Sequence, residues 1–300
     1  MTVISDILLD ALIDSAKILP VIFLVYVLIE FLESRESTHE KMEKIFSGRF
    51  SPFFGAAVGM IPQCGFSVVA TRLYQGGYIL SGTLIAVYLS TSDEALPILF
   101  SRAVTEPKVF VQLGIILAIK LVYAVIAGFL VNLFVRNKAA RPIEEHAIDE
   151  DDDGCCHHHI TGERGTVKKL LLHPLLHSLK IIAYIFVINV IFGVLIEYVV
   201  GEEALVKLLS GATLLQPLFS TLIGLIPNCA SSVLITEAFS EGYLTLGATL
   251  SGLAVNSGIG MAVLLKDRKN LKNAFVIIGL TAAFSLALGY AVTAIQLLIS

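Results

Sequence analysis

Long apolar segments constrain this chain more than any other feature of its sequence. Residues 274–300 contain no charged side chain, and three further segments (18–29 and 181–195 with their flanks, and 109–135) are also strongly apolar. A membrane span needs about 20 mostly apolar residues. Only 15% of the 300 residues are charged and 56% are hydrophobic, whereas soluble domains are about 25% charged. The sequence therefore predicts an all-α polytopic membrane protein.

An internal duplication is the second constraint. Residues 59–92 align without a gap on residues 224–257, and eleven of the 34 aligned positions are identical. The two aligned segments open on Gly-Met-Ile-Pro-Gln-Cys and Gly-Leu-Ile-Pro-Asn-Cys. Because Pro and Gly interrupt helices, each copy predicts a helix break within an apolar stretch. We expect about ten transmembrane or half-membrane segments in two inverted repeats, with broken helices at the membrane midplane.

The distribution of positive charge bears on domain organisation and orientation. We divide the chain into a first membrane repeat (1–135), a linker (136–170) and a second membrane repeat (171–300). Inversion is favoured because 34–50 carries four Lys or Arg and its counterpart, 199–213, carries one. The linker carries six, so we expect it in the cytoplasm, both termini outside, and the protein in the inner membrane of a prokaryotic cell. Ten helices in a parallel repeat remain the alternative.

The two Pro-containing breaks predict a binding site. Pro62 and Pro227 cannot donate a main-chain hydrogen bond, and Gly65 permits a tight turn, so neighbouring main-chain groups stay available to a ligand. Such groups are tolerated at membrane depth only inside the protein or beside a wet cavity. The alternative is a pair of proline kinks that only shape helix packing. The candidate substrate-binding residues of the two breaks are Pro62, Gln63, Cys64, Gly65, Pro227, Asn228, Cys229, Ser231 and Ser232.

A second polar interruption follows in each half. It contains Asp93 and Glu94 in the first half, and Asn256 and Ser257, two further candidate substrate-binding residues, in the second. Lys120 lies too deep in its apolar segment to reach water easily, so we expect it to face the bundle interior and pair with Asp93 or Glu94. Intramembrane charges are functional by default, which makes these three residues candidates for coupling or gating. The alternatives are a short exposed turn at 93–94 and a purely structural ion pair.

Potential metal ligands are concentrated in the linker. A run of carboxylates, 149–153, precedes five adjacent residues of types that bind zinc and softer metals. Five adjacent ligands cannot all surround one tetrahedral ion, so the pattern indicates a flexible metal-capturing tether rather than a structural zinc site. A disordered acidic linker is the alternative. The five residues are Cys155, Cys156, His157, His158 and His159.

Other function classes find no support in the sequence. We expect no enzyme, because neither a Walker loop nor a nucleophile–base–acid set is recognisable. No basic surface predicts nucleic-acid binding, and no cofactor is expected apart from a metal ion as substrate or linker ligand. The expected partners are the lipid bilayer, a metal or metalloid substrate and a coupling ion, for which a proton is favoured. A homo-oligomer is compatible with the sequence.

Three segments resemble a known family of ten-helix heavy-metal exporters, whose members are described as arsenic efflux permeases or manganese transporters. The segments are Gly-Met-Ile-Pro-Gln-Cys-Gly at 59–65, Thr-Arg-Leu-Tyr-Gln-Gly-Gly-Tyr at 71–78 and Ser-Asp-Glu-Ala-Leu-Pro at 92–97. The resemblance implies a secondary transporter that exports a heavy-metal or metalloid species by alternating access. A transporter of a small inorganic or organic anion, and a membrane subunit that senses metal without transporting it, are the alternatives.

Overall fold

The computed structural model describes residues 50–63, 65–92, 95–103, 107–134, 213–266 and 270–299, together with isolated residues between 9 and 13 and between 183 and 190. The predicted first segments of each half, the basic segment at 34–49 and the whole of the linker lie outside these ranges. The described residues form helices and short connections, with no strand among them.

Ten described helices divide equally between the two halves. The first half contains α1 (Ser51–Gly59), α2 (Gly65–Gln75), α3 (Ser81–Ser90), α4 (Ala95–Ala103) and α5 (Pro107–Phe134). The second half contains α6 (Gln216–Gly224), α7 (Cys229–Ser240), α8 (Leu246–Val255), α9 (Gly260–Lys266) and α10 (Leu271–Ile299).

Equivalent sequence signals begin and end equivalent helices. Pro52 and Pro217 each lie in the first turn of their helix, α1 and α6, where the missing N–H has no intrahelical partner to lose. Two glycines with positive φ, Gly77 (77°) and Gly242 (82°), follow α2 and α7. In this left-handed region glycine avoids the steric cost that a Cβ imposes. Both copies of the repeat therefore specify the same helix starts and ends by sequence.

The two halves pack against each other in a crossed arrangement. Within each half the third helix packs on the first and the fifth, so α3 contacts α1 and α5, and α8 contacts α6 and α10. Between the halves, α2 packs against α9 and α4 packs against α7, while α3 contacts α8. Each helix after a first break therefore packs on the helix after a second break in the other half, as a two-fold relation requires.

A contact between equivalent residues of α5 and α10 marks the same relation. Gly82 of α3 meets Gly128 of α5 as Gly247 of α8 meets Gly289 of α10, which relates α5 to α10 by an offset of 161. With this offset Tyr123 corresponds to Phe284, and the two rings meet edge to face with centroids 6.4 Å apart. The Tyr123 hydroxyl also donates to the Phe284 carbonyl at 2.7 Å. Equivalent residues of the two halves therefore contact each other between α5 and α10.

Burial separates central from peripheral helices. All ten residues of α3 are buried, and so is every residue of α8 after Leu246, whereas α5 and α10 expose apolar side chains such as Val122 and Phe275. Among the described residues, four segments are long and apolar enough to cross a membrane, judged by length and composition: 81–102, 108–134, 246–266 and 271–298. The apolar outer faces of α5 and α10 are those expected of helices in contact with lipid.

Glycines at equivalent positions let helices approach closely. A Cβ on Gly59 of α1 would overlap the Ser90 Oγ and lie 2.6 Å from the Val87 carbonyl oxygen of α3. A Cβ on Gly224 of α6 would overlap the Gly252 carbonyl oxygen of α8. Gly82 of α3 and Gly247 of α8 make the corresponding contacts with Gly128 of α5 and Gly289 of α10. Each three-helix unit is therefore assembled through backbone-to-backbone contact.

These contacts predict that Gly59→Ala and Gly224→Ala each destabilise the protein. Main-chain atoms on the partner helix would have to move, and such overpacking costs about 1–3 kcal/mol. We expect lower thermal unfolding midpoints for both variants in detergent. Gly114→Ala and Gly279→Ala are matched controls, because a Cβ at either position meets nothing within 4 Å. Equal destabilisation of the controls would contradict the prediction.

Candidate functional site

The two Pro-containing breaks share one main-chain geometry. After α1 ends, the N–H of Ile61 donates to Val58 at 3.1 Å and that of Gln63 donates to Ile61 at 2.7 Å. The equivalent bonds in the second half, Ile226 to Ile223 and Asn228 to Ile226, measure 3.0 and 2.7 Å. A new helix then begins at Gly65 or Cys229. Both copies therefore redirect the chain in the same tight turn.

The surroundings of the two breaks differ. Pro62 is exposed and Gln63 is half-buried, whereas Pro227 is half-buried and Asn228 is buried. The Asn228 side chain caps α7 by accepting from the N–H of Ala230 at 3.5 Å. This asparagine satisfies one of the donors that a helix start leaves without an intrahelical partner. The second copy is consequently the more enclosed of the two.

Asn256, at the second interruption of the second half, is hydrogen-bonded to the Pro-containing break of the same half. Its amide nitrogen donates to the Ser231 Oγ at 2.7 Å and to the Asn228 carbonyl at 3.4 Å. Its amide oxygen accepts from the Gly258 N–H at 2.8 Å. Ser231 in turn donates to the Asn228 carbonyl at 2.7 Å. Three of the predicted substrate-binding residues, Asn228, Ser231 and Asn256, thus form one buried hydrogen-bonded group.

The remaining polar residues of this region lie beside that group. Cys229 is the first residue of α7 and is buried, and the Ser232 hydroxyl donates to its carbonyl at 2.9 Å. Ser257, next to Asn256, is 1% exposed, and its Oγ has no hydrogen-bond partner in the described part of the chain. A buried hydroxyl that is left without a partner is costly. Ser257 is therefore available to hydrogen-bond a ligand.

The same segment reaches the other half of the protein. The Thr71 hydroxyl of α2 lies 2.7 Å from the Ser67 carbonyl of the same helix and 3.1 Å from the Gly260 carbonyl at the start of α9, and these two acceptors share its one proton. A Cβ on Gly260 would lie 2.9 Å from the Ser67 Cβ, so glycine allows this approach. Thr71 also shares a 2.6 Å hydrogen bond with the Tyr88 hydroxyl of α3. Residues 256–260 therefore contact the Pro-containing break of their own half and also α2, the helix that follows the Pro-containing break of the other half.

Lys120 lies inside the bundle, as its position in the sequence predicts. Only 1% of its surface is exposed, and its ammonium donates to two main-chain carbonyls, that of Thr91 and, at 2.8 Å, that of Leu253. Thr91 directly follows α3 and Leu253 belongs to the last turn of α8. The cation thus bridges the carboxyl ends of the central helices of both halves.

Several predicted site residues cannot be placed. Cys64, Asp93 and Glu94 lie outside the described residues, and so do the linker residues Cys155, Cys156, His157, His158 and His159. The predicted pairing of Lys120 with Asp93 or Glu94 therefore stays a prediction. In the ranges that the structure covers, no three His, Cys, Asp or Glu side chains are grouped to hold a metal ion.

The residues that support the site from the first half are not among the predicted site residues. Thr71 and Ser67 both match identical residues in the repeat, Thr236 and Ser232, which was the available signal. The partners of Lys120 had no such signal, because a main-chain carbonyl belongs to every residue type. The carbonyls of Thr91 and Leu253 accept from Lys120 because they lie at the carboxyl ends of α3 and α8.

The Asn256 group predicts a measurable coupling between the two breaks. Asn256→Ala removes the donor to the Ser231 Oγ and the acceptor of the Gly258 N–H, and leaving such buried groups unsatisfied costs about 1–3 kcal/mol. Combined with Ser231→Ala, the loss in stability should be smaller than the sum of the single losses, by at least about 0.5 kcal/mol. Thermal unfolding of the four proteins measures this cycle. Ser101→Ala is the control, because this exposed serine bonds only within α4; additive losses at 231 and 256 would contradict the prediction.

Comparison with known proteins identifies the family. The model of the family ArsP_2, described as "Putative, 10TM heavy-metal exporter", matches residues 1–185, more than half of the chain. No curated protein and no solved structure matches the chain significantly. The family match confirms the resemblance seen at 59–65, 71–78 and 92–97, and agrees with the apolar segments of span length. The chain is a multi-pass membrane transporter and belongs to the ArsP_2 family of ten-transmembrane heavy-metal exporters.

Proposed function

We propose that the protein is a secondary transporter that exports a heavy-metal or metalloid species across the inner membrane by alternating access. The observation that carries the proposal is the course of 256–260. Asn256 bonds to the first break of its own half, and Gly260 lies against α2 just after the first break of the other half. Substrate sites of transporters built from repeats lie where interrupted helices of both repeats meet.

The side chains of the breaks suit a soft ion. Cys64 and Cys229 hold equivalent positions in the repeat, and thiolates favour soft metals over Ca²⁺ or Mg²⁺. Cys229 is buried next to the Asn228–Ser231–Asn256 group, and Ser257 offers a buried hydroxyl. We assign the contacts with cargo to the thiols, amides and hydroxyls. The turns at Pro62, Gly65 and Pro227 then position these groups.

Alternating access would use the relation between the two halves. The crossed packing of α2 on α9 and α4 on α7 supports two halves that exchange short helices around a shared centre. In the inverted arrangement that we propose, the two Pro-containing breaks open toward opposite sides of the membrane. Asp93, Glu94 and Lys120 couple this movement to a proton, and the Cys-His run of the cytoplasmic linker captures metal before transport.

A small anion is the second candidate cargo. The start of α7 lies at a buried break, and helix amino termini favour negative charge. An oxyanion would accept hydrogen bonds from this terminus and from the Ser257 hydroxyl. Thiols at Cys64 and Cys229 would then be dispensable, which separates this candidate from the proposed metal or metalloid.

The proposal predicts that replacing both break cysteines abolishes metal transport. We expect Cys64→Ser/Cys229→Ser to reduce uptake of the transported metal or metalloid into everted vesicles at least about tenfold, since even outer-shell changes at metal sites cost this much. The measurement is a panel of Zn²⁺, Mn²⁺, Cd²⁺ and arsenite, with and without a proton gradient. Cys155→Ser/Cys156→Ser is the control and should keep the basal rate at saturating metal.

Three outcomes decide between the candidates. Full transport of metal by the Cys64/Cys229 variant would overturn the thiol-based site. Full transport of arsenate or another oxyanion, with no metal transported, would favour the anion. If purified protein lacking residues 143–160 transports no species in liposomes, a metal-sensing subunit becomes the better description. Transport by that protein excludes the metal-sensing subunit.

A further inference from the structure

Two helix ends from opposite halves meet at a single cation. Thr91 directly follows α3, and Leu253 lies two residues before the last residue of α8. Their carbonyl oxygens both accept from the Lys120 ammonium. Carbonyls of the last helical turn have no partner within their own helix and carry the negative end of the helix dipole. The geometry therefore presents two carbonyl oxygens, one just after α3 and one in the last turn of α8, to one positive charge.

The ligand set around Lys120 is one that small cations use. In transporters, unwound main-chain carbonyls and the carboxyl ends of interrupted helices coordinate Na⁺. A lysine ammonium is a compact point charge with three donors. It can therefore occupy the position of such a cation while it remains part of the chain.

The repeat shows that the cation is not needed for the helix itself. With the offset of 161 that relates α5 to α10, Lys120 corresponds to Thr281. Thr281 is fully buried, and its hydroxyl donates to the Ile277 carbonyl of its own helix at 2.8 Å. A small neutral residue is thus accommodated at the equivalent position. The first half supplies the positive charge of Lys120, and the hydrogen bonds of this ammonium connect the two halves.

We infer that the Lys120 ammonium occupies a monovalent-cation site between the two halves, as a built-in substitute for Na⁺ or K⁺. The protein then needs neither ion to hold α3 and α8 together. Shortening the side chain vacates the site and leaves the carbonyls of Thr91 and Leu253 to bind a small cation from solution. The inference concerns Lys120 alone and does not depend on which species is transported.

Thermal stability of the full chain in detergent tests this inference. The wild type should unfold at the same midpoint in NaCl, KCl and choline chloride of equal concentration, because choline is too large to enter. The Lys120→Ala variant should unfold at a lower midpoint in choline chloride and regain about 5 °C or more in saturating NaCl or KCl. The Lys120→Met variant keeps the volume without the charge, so it should show no recovery.

Each result decides the matter without a transport assay. Recovery of Lys120→Ala in NaCl or KCl, together with no recovery of Lys120→Met, supports the site. No recovery in either salt, equal recovery of Lys120→Met, or a wild type that itself depends on Na⁺ or K⁺ would overturn it. If Lys120→Ala does not fold, Lys120→Thr replaces it, since threonine stands at 281. Failure of both to fold in every salt also contradicts the inference, because small cations should substitute for the ammonium.

Discussion

Main-chain groups released at the helix breaks govern the rest of this structure. Each break frees N–H and C=O groups in a region where lipid offers no partner, and every freed group that is left alone costs free energy. The tight turns at Gln63 and Asn228 satisfy two of the N–H groups, and the Asn228 side chain satisfies a third. Asn256 and Lys120 then supply donors to carbonyls. The buried polar side chains are placed where the backbone needs them.

Side chains from other helices satisfy main-chain groups at the helix ends, and their hydrogen bonds connect the two halves. Asn256 joins two breaks of one half, Thr71 reaches the second half from the first, and Lys120 joins both. Movement of one helix end therefore changes the hydrogen bonds of the others.

The sequence predicts the local breaks better than their partners. Pro62 and Pro227 predict where helices end because they act through their own backbone, and the depth of Lys120 in an apolar segment predicts its burial. The link from Asn256 to Ser231, the approach of Gly260 to Ser67 and the carbonyl partners of Lys120 depend on tertiary packing, which leaves no residue signature. The roles of Cys64, Asp93, Glu94 and the linker stay predictions from sequence.

The crossed packing has a consequence for how such a chain arose. Each of the short helices α2, α4, α7 and α9 packs both on its own half and on the other half. A half-length ancestor with the same packing would have formed the second set of contacts with another copy of itself. Fusion of the two copies would then let each diverge, as at the position that is lysine in α5 and threonine in α10.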